Sequence, residues 1–225
     1  MGVAVQLGEG TKDIIYGESS IPAGPRTYGG YLSRPDGFVE WPTILIFGPR
    51  SAPTSSIKNI CRIFARHGIA ALAPEVGADE RRANMVANAA ASFVMNPAAG
   101  WSSAEYGFGV LAFEGGIGVA SNLVDSVGRV TAFATVGAAL DASVVDRIAS
   151  RDTSGLYIGS RGDEGSGVDT SLEAREALPM TTFAVYPDGD TGFWSDDSPG
   201  FSEERFLDTR DRLVGFFGLH LPEQT

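Results

Sequence analysis

The fold is decided by one stretch of the sequence, GFGVLAFEGGIGVA at residues 107–120. Its first half, FGVLAF, has the length and composition of a buried strand, and the apolar run at 117–124 has helical spacing. Between the two lies Glu114, with the small residues Ala112 two positions before it and Gly116 two positions after it. A strand, a sharp turn with small flanks and a helix make a nucleophile elbow, in which strand and helix pass very closely. We therefore predict an elbow that presents Glu114 where a serine, cysteine or aspartate normally attacks.

Apolar runs and amphipathic segments alternate along the rest of the chain. Further strands are predicted at residues 28–32, 42–47, 69–73, 129–135, 155–159 and 181–186. Helices are predicted at residues 54–66, 78–94, 141–148, 171–177 and 202–217. This alternation indicates a doubly wound, mainly parallel sheet with helices on both faces, and the elbow strand is expected near its middle. The strand at 28–32 is expected at an edge. Because no repeat or linker interrupts the sequence, we predict a single α/β domain over residues 1–225.

Composition narrows the classes of function. The chain has 225 residues, of which 43% are hydrophobic, as in ordinary globular proteins. Its net charge of −11 makes nucleic acid and anionic membranes unexpected partners, because both bind basic surfaces. No apolar run reaches the ~18 residues of a membrane-spanning helix, and we see no signal peptide. A single cysteine, Cys61, fits a reducing compartment. We therefore expect an acidic cytoplasmic protein that acts on a small molecule.

Four segments carry a resemblance to a known family. They are PTILIFGPRSAPTSSIKNICRIFARHGIAALAPE at residues 42–75, GVLAFEGG at 109–116, YIGSRGD at 157–163 and YPDGDTGF at 186–193. In this order they resemble the dienelactone hydrolase family of the α/β-hydrolase superfamily. The resemblance covers nearly the whole chain from about residue 28. It implies a single-domain α/β-hydrolase fold.

The same resemblance implies which residues occupy the catalytic positions of the family, and each one departs from the pattern. The nucleophile, usually cysteine, falls at Glu114. The histidine falls at Thr191, because Gly192 and Phe193 match the two residues that follow the histidine in the family. The aspartate position falls at Gly162, one residue before Asp163. A glutamate that lies next to the nucleophile in the family falls at Pro49. The Cys/Asp/His triad of the family is therefore not retained.

Candidate site residues follow from the elbow and from these loops. The candidates for catalysis are Glu114, Thr191 and Asp163. The candidates for substrate binding are Pro49, Arg50, Arg82, Gly115, Asp190, Phe193 and Trp194. Arg82, or its neighbour Arg81, lies in the region from which the family takes its substrate-carboxylate arginine.

We expect neither a metal nor a cofactor. The pair Asp188 and Asp190 lacks the remaining ligands of a calcium loop. The sequence from Gly116 to Ser121 lacks the third glycine of a dinucleotide fingerprint.

The two histidines and the single cysteine are expected to have structural and not catalytic roles. His67 precedes Gly68 at the end of a predicted helix, where a capping role is expected. His220 follows the last helix and is expected at the surface, and Cys61 lies on an apolar helix face and is expected in the core. Conventional serine or thiol hydrolysis is therefore not predicted.

Three hypotheses remain open for Glu114. In the first, it performs acid/base chemistry on a small or polyketide-like lactone, enol or epoxide, by isomerisation, cyclisation or hydrolysis. In the second, the protein is an inactive pseudoenzyme that binds a small molecule or a protein partner, and Glu114 pairs with Arg50 or with backbone N–H groups. In the third, a residual ester or lactone hydrolase uses an unorthodox site, with Glu114 as nucleophile. We favour the first, because the turn keeps the small residues that an exposed elbow side chain requires.

Overall fold

The computed structural model describes residues 10–49, 51–96, 100–160, 174 and 176–222. The strands are β1 Ile14–Ala23, β2 Arg26–Pro35, β3 Thr43–Phe47, β4 Ala70–Pro74, β5 Phe108–Phe113, β6 Val130–Val136, β7 Ser154–Ser160 and β8 Thr181–Tyr186. The α-helices are α1 Ser55–Arg66, α2 Glu80–Val94, α3 Ile117–Ser126, α4 Ala142–Ala149 and α5 Glu203–His220. None of the helices in these described ranges is long and apolar enough to cross a membrane.

All eight strands form one sheet in the order β1-β2-β4-β3-β5-β6-β7-β8. β3 to β8 run parallel to one another, whereas β2 pairs antiparallel with both β1 and β4. One face of the sheet is covered by α1 and α5, and the other by α2, α3 and α4. β5 has four strands on one side and three on the other. The predicted doubly wound sheet, with the elbow strand near its middle, is confirmed.

The prediction of an edge strand at residues 28–32 is wrong. Those residues belong to β2, which lies second from the edge, and β1 pairs with the full length of β2 to form the outermost strand. Gly24, with a φ of +61°, lies in the turn between the two strands. β1 was not predicted as a long strand because its sequence, IIYGESSIPA, interrupts the apolar pattern with glycine, serine and proline.

Polar caps explain why the starts of these helices could be predicted to within one or two residues, whereas α5 continues three residues beyond its predicted end at 217, so that His220 belongs to the helix instead of following it. The side chains of Thr54, Asp79, Asp141 and Ser202 each accept a hydrogen bond from a backbone N–H in the first turn of the following helix. Such caps satisfy donors that otherwise have no partner in the helix. The helix predicted at 171–177 lies largely outside the described residues, and residues 174, 176 and 177 are helical.

Cys61 lies in the core on the inner face of α1 and has no exposed surface. Burial raises the pKa of its thiol from 9.0 to about 12. Because only the thiolate is nucleophilic, we expect Cys61 of the folded protein to react with Ellman's reagent at pH 8 at least about a hundredfold more slowly than in urea. Equal rates in the two states would contradict the buried position.

The raised pKa of the Cys61 thiol also makes the stability of the fold depend on pH at high pH. Above about pH 9 the unfolded chain releases the thiol proton while the folded chain keeps it, so the contribution of Cys61 to stability is lost as pH rises toward 12.

Candidate functional site

Glu114 occupies a strained turn at the carboxyl end of β5. It begins a short 3-10 turn, Glu114–Gly116, which leads directly into α3. Its φ is +46°, the only positive φ of a non-glycine residue among those that the structure describes. A side chain in this left-handed region costs about 1–3 kcal/mol and persists only where the surroundings impose it. The turn therefore has the strained geometry predicted for an elbow.

Close packing beneath the turn explains its small residues. A Cβ atom added to Gly116 would lie 2.4 Å from the carbonyl oxygen of Phe47 and 2.8 Å from that of Gly48. The position of Gly115 is looser, since its added Cβ would come no nearer than 3.8 Å to the Pro49 carbonyl oxygen. The end of β3 therefore passes directly against the start of α3, and only the second of the two glycines is sterically required.

The carboxylate of Glu114 is held by a buried indole. Trp194 Nε1 donates a hydrogen bond to Glu114 Oε1 at 3.0 Å. Trp194 is only 2% exposed, and its ring packs on Phe113 with a centroid distance of 4.2 Å. A buried indole N–H needs an acceptor, and Glu114 provides one, so the two side chains fix each other. Sequence analysis predicted both Glu114 and Trp194 at the site but did not indicate the hydrogen bond between them.

The loop after β8 brings Thr191 to the elbow. Thr191–Trp194 is a 3-10 turn that Asp190 caps by accepting hydrogen bonds from the Gly192 N–H at 3.1 Å and from Thr191 Oγ1 at 3.3 Å. A Cβ added to Gly137, which follows β6, would lie 2.8 Å from the Thr191 carbonyl oxygen and 3.5 Å from Glu114 Cγ. Thr191 and Glu114 therefore both pack against Gly137. The sequence analysis did not select Gly137, although a glycine directly after a central strand was an available signal.

The remaining binding candidates lie at different depths. Phe193 is fully buried and packs edge-on against Tyr186, so it supports the loop from within the core. Asp190 is exposed and shapes the turn. Gly115 is exposed beside Glu114, and the carbonyl of Pro49 faces it. Arg50 and Asp163 lie outside the described residues, so their predicted roles stay predictions.

Arg82 lies in the first turn of α2, after the loop that follows β4. Its exposed side chain runs over Gly77, where an added Cβ would lie 3.1 Å from its Nε atom. The Gly77 N–H donates to the carbonyl oxygen of Ser51 at 3.1 Å, which ties the loop after β4 to the loop after β3. Arg82 is therefore at the same edge of the sheet as Pro49 and Gly115.

Both histidines of the chain lie at helix C-termini. His67 caps α1, and its Nδ1 lies 2.8 Å from the carbonyl oxygen of Ile63. His220 is the last residue of α5 and packs its ring against Phe216 with a centroid distance of 4.8 Å. α1 and α5 follow strands of the parallel sheet and run back along it, so their C-termini lie at the edge opposite Glu114. The capping role expected for His67 is confirmed, and neither imidazole reaches the elbow.

Comparisons with known proteins agree with this architecture. The fold resembles that of a candidate dienelactone hydrolase from Klebsiella pneumoniae, with a TM-score of 0.81, 20% identity, and coverage of 92% of this chain and 100% of that chain. It also resembles the dienelactone hydrolase of Anabaena variabilis, with a TM-score of 0.72, 15% identity, and coverage of 93% of this chain and 99% of that chain.

A third similar structure is a dienelactone hydrolase-like promiscuous phosphotriesterase from metagenomic libraries. Its TM-score is 0.73 at 15% identity, and the match covers 93% of this chain and 99% of that chain. Neither the protein-family models nor the curated sequences gave a match. The structural likeness, together with the strained elbow after the central strand, shows that this chain has the α/β-hydrolase fold of the dienelactone hydrolases.

Proposed function

We propose that this protein is a hydrolase-type enzyme in which Glu114 transfers protons to and from a small lactone, enol or epoxide. The observation that carries the proposal is the hydrogen bond from Trp194 Nε1 to Glu114 Oε1 at a turn whose φ is +46°. A glutamate in this conformation costs stability, and the fold nevertheless presents it at the position where enzymes of this fold place their reacting side chain. The substrate in this proposal is a small molecule, and no metal or cofactor takes part.

Acid/base chemistry fits the surroundings better than covalent catalysis. A covalent ester at Glu114 has to be hydrolysed with the help of a base, and both imidazoles of the chain lie at the opposite edge of the sheet. Enzymes of this fold also bind the oxyanion through two backbone N–H groups, one after the nucleophile and one from the loop that follows β3. Gly115 can supply the first group. In the second loop Pro49 has no N–H to donate.

The neighbours of Glu114 suit proton transfer. The indole N–H of Trp194 fixes one carboxylate oxygen and so limits the directions in which the carboxylate can act. Thr191 adjoins Glu114 across Gly137, and its hydroxyl, which donates to Asp190, can accept a hydrogen bond from a substrate hydroxyl. We assign Glu114 the proton transfer and Thr191 the orientation of the substrate, and Asp163 stays a candidate third member. Isomerisation, cyclisation and hydrolysis are all compatible with these roles.

A second candidate function is non-catalytic binding of a small molecule. It is favoured by the burial of Phe193 and Trp194, which fill the loop after β8 with core packing. The two candidates differ in turnover. They can be separated with a panel of three compounds: a lactone (dihydrocoumarin), an enol acetate and styrene oxide. The enzyme proposal requires turnover of at least one of these compounds, and the binding proposal requires that none is turned over.

Isotope transfer tests the proton-transfer role. For the compound that is turned over, we expect repeated turnover in water enriched in the heavy oxygen isotope to leave the Glu114 carboxylate unlabelled, because no bond forms between it and the substrate. Mass spectrometry of the peptide containing Glu114 measures the label, and an incubation without substrate is the control. Incorporation of the isotope into Glu114 only when substrate is present would show a covalent intermediate (an ester from the epoxide, an anhydride from the lactone or the enol acetate) and contradict the proposal.

A further inference from the structure

The three residues that follow Trp194 all reach one hydroxyl group in the first turn of α1. Ser56 Oγ donates a hydrogen bond to Asp196 Oδ1 at 2.5 Å and lies 2.9 Å from Ser195 Oγ. It also lies 3.2 Å from Asp197 Oδ2. These partners are 139 to 141 positions away from Ser56 in the sequence. The fold therefore joins the end of the loop after β8 to the start of α1 at this hydroxyl.

The hydroxyl groups and carboxylates of this contact form a consistent set of hydrogen bonds. A serine hydroxyl carries one proton, and the shortest contact directs that of Ser56 to Asp196, so Ser195 donates to Ser56. Ser55 Oγ donates to Asp197 Oδ2 at 2.7 Å, so each carboxylate receives one hydroxyl proton. Hydrogen bonds to an ionised acceptor are about twice as strong as neutral ones. The loop is therefore bonded to α1 through charge-assisted hydrogen bonds.

Ser56 is a firm anchor because α1 is packed tightly at this point. Ser56 is only 4% exposed, and the neighbouring side chains of Ile57 and Ile60 lie in the core. The Ile57 N–H donates to the side chain of the N-cap residue Thr54 at 3.3 Å, which closes the first turn. A buried donor in a capped turn has little freedom to follow its acceptor. Ser56 therefore fixes the position of Asp196.

Trp194 links this restraint to Glu114. It lies two positions before Asp196, and two residues of chain span at most about 7 Å. Its indole N–H donates to Glu114 Oε1 at 3.0 Å. On its other side the turn is held by the Ser202 N–H, which donates to the Phe193 carbonyl oxygen at 3.1 Å. The indole is therefore held between a backbone bond at the start of α5 and the side-chain contact with α1.

We propose that Ser56 is a positioning residue for the reaction at Glu114. Its hydrogen bond to Asp196 holds the indole of Trp194 in the place from which the N–H donates to the carboxylate. Ser56 acts through the loop and not by contact with the substrate. The expected effect on turnover rests on the proposed function of Glu114, whereas the expected effect on the indole does not.

Hydrogen exchange of the Trp194 indole tests the proposal without a substrate. In Ser56→Ala we expect the Nε1 proton of Trp194 to exchange with deuterated water at least about tenfold faster than in the wild type, because the N–H leaves its acceptor more often. Nitrogen-resolved NMR separates the three indole signals of the chain, and Trp194→Phe identifies the relevant one. Trp41 and Trp101, which precede β3 and β5, are internal controls and should keep their exchange rates.

The rate of the chemical step is the second readout. With the panel compound that the wild type converts, we expect Ser56→Ala to lower the single-turnover rate constant by about tenfold and to change the Kd of the substrate less than about twofold. Ser56→Ala/Asp196→Ala should be no slower than Ser56→Ala, because both changes remove the same bond. The matched control is Ser143→Ala, which removes a hydroxyl bonded to Asp141 at 2.7 Å in the first turn of α4 and should behave as the wild type does.

Wild-type exchange of the Trp194 indole proton in both Ser56→Ala and Asp196→Ala would overturn the proposal. Asp196 is exposed, so its variant gives the answer even where Ser56→Ala does not fold. An equally large effect of Ser143→Ala on that proton would also overturn it, because a general loss of stability would then be the cause.

Faster exchange in Ser56→Ala with an unchanged single-turnover rate constant would contradict the positioning role. Failure of the proposed function has a different signature, which is a wild-type rate constant in Glu114→Gln. Faster exchange in Ser56→Ala would in that case still support the hold of Ser56 on Trp194.

Discussion

Gly116→Ala is expected to lower the free energy of unfolding by about 2–3 kcal/mol, because overpacking of a rigid contact costs that much. The added methyl would lie 2.4 Å from the carbonyl oxygen of Phe47 and 2.8 Å from that of Gly48. Both atoms belong to the backbone at the end of β3, a fully buried strand paired on both sides, so they cannot move aside as a flexible side chain can. Urea unfolding measures the change, and thermal unfolding should show a decrease in Tm of about 5–10 °C.

Two neighbouring glycines give matched controls for this prediction. Gly118 lies in α3 with nothing within 4 Å of an added Cβ, so Gly118→Ala is expected to stabilise the protein by up to about 1 kcal/mol through helix propensity. Gly115→Ala makes only an ordinary 3.8 Å contact and should change stability by less than about 1 kcal/mol. If Gly116→Ala were as stable as Gly115→Ala, the close passage of β3 against the elbow would be contradicted.

Local signals explain what the sequence analysis predicted correctly. The elbow could be predicted because the small residue at position 116 is required by packing close to the turn itself. The helix starts could be predicted because a capping side chain lies within three residues of the N–H that it binds. The long strand β1 was missed because its pairing with β2 imposes extended structure on residues with weak strand propensity.

The contacts that the sequence did not reveal join residues far apart in the chain. Trp194 and Glu114 are 80 positions apart, and no local pattern links an indole donor to its acceptor. Gly137 became significant only when the fold brought Thr191 and Glu114 to it.

Glu114→Gln is expected to reduce turnover by about a hundredfold or more, because the loss of general acid/base catalysis typically costs that much. The variant isolates proton transfer, since its amide oxygen can still accept the hydrogen bond from Trp194 and its side chain has the same shape. The free energy of unfolding should change by less than about 1 kcal/mol. Glu204→Gln removes the same charge from an exposed position on α5 and is expected to keep full activity.

The rate of the chemical step in Glu114→Gln is the most direct test of the proposed acid/base role. A single-turnover measurement with the panel compound that the wild type converts, at saturating enzyme, separates this step from binding and release. The proposal predicts a rate constant lower than that of the wild type by about a hundredfold or more, with unchanged circular dichroism and near-unchanged stability. A folded Glu114→Gln protein with the wild-type rate constant would contradict the proposal that Glu114 transfers the proton.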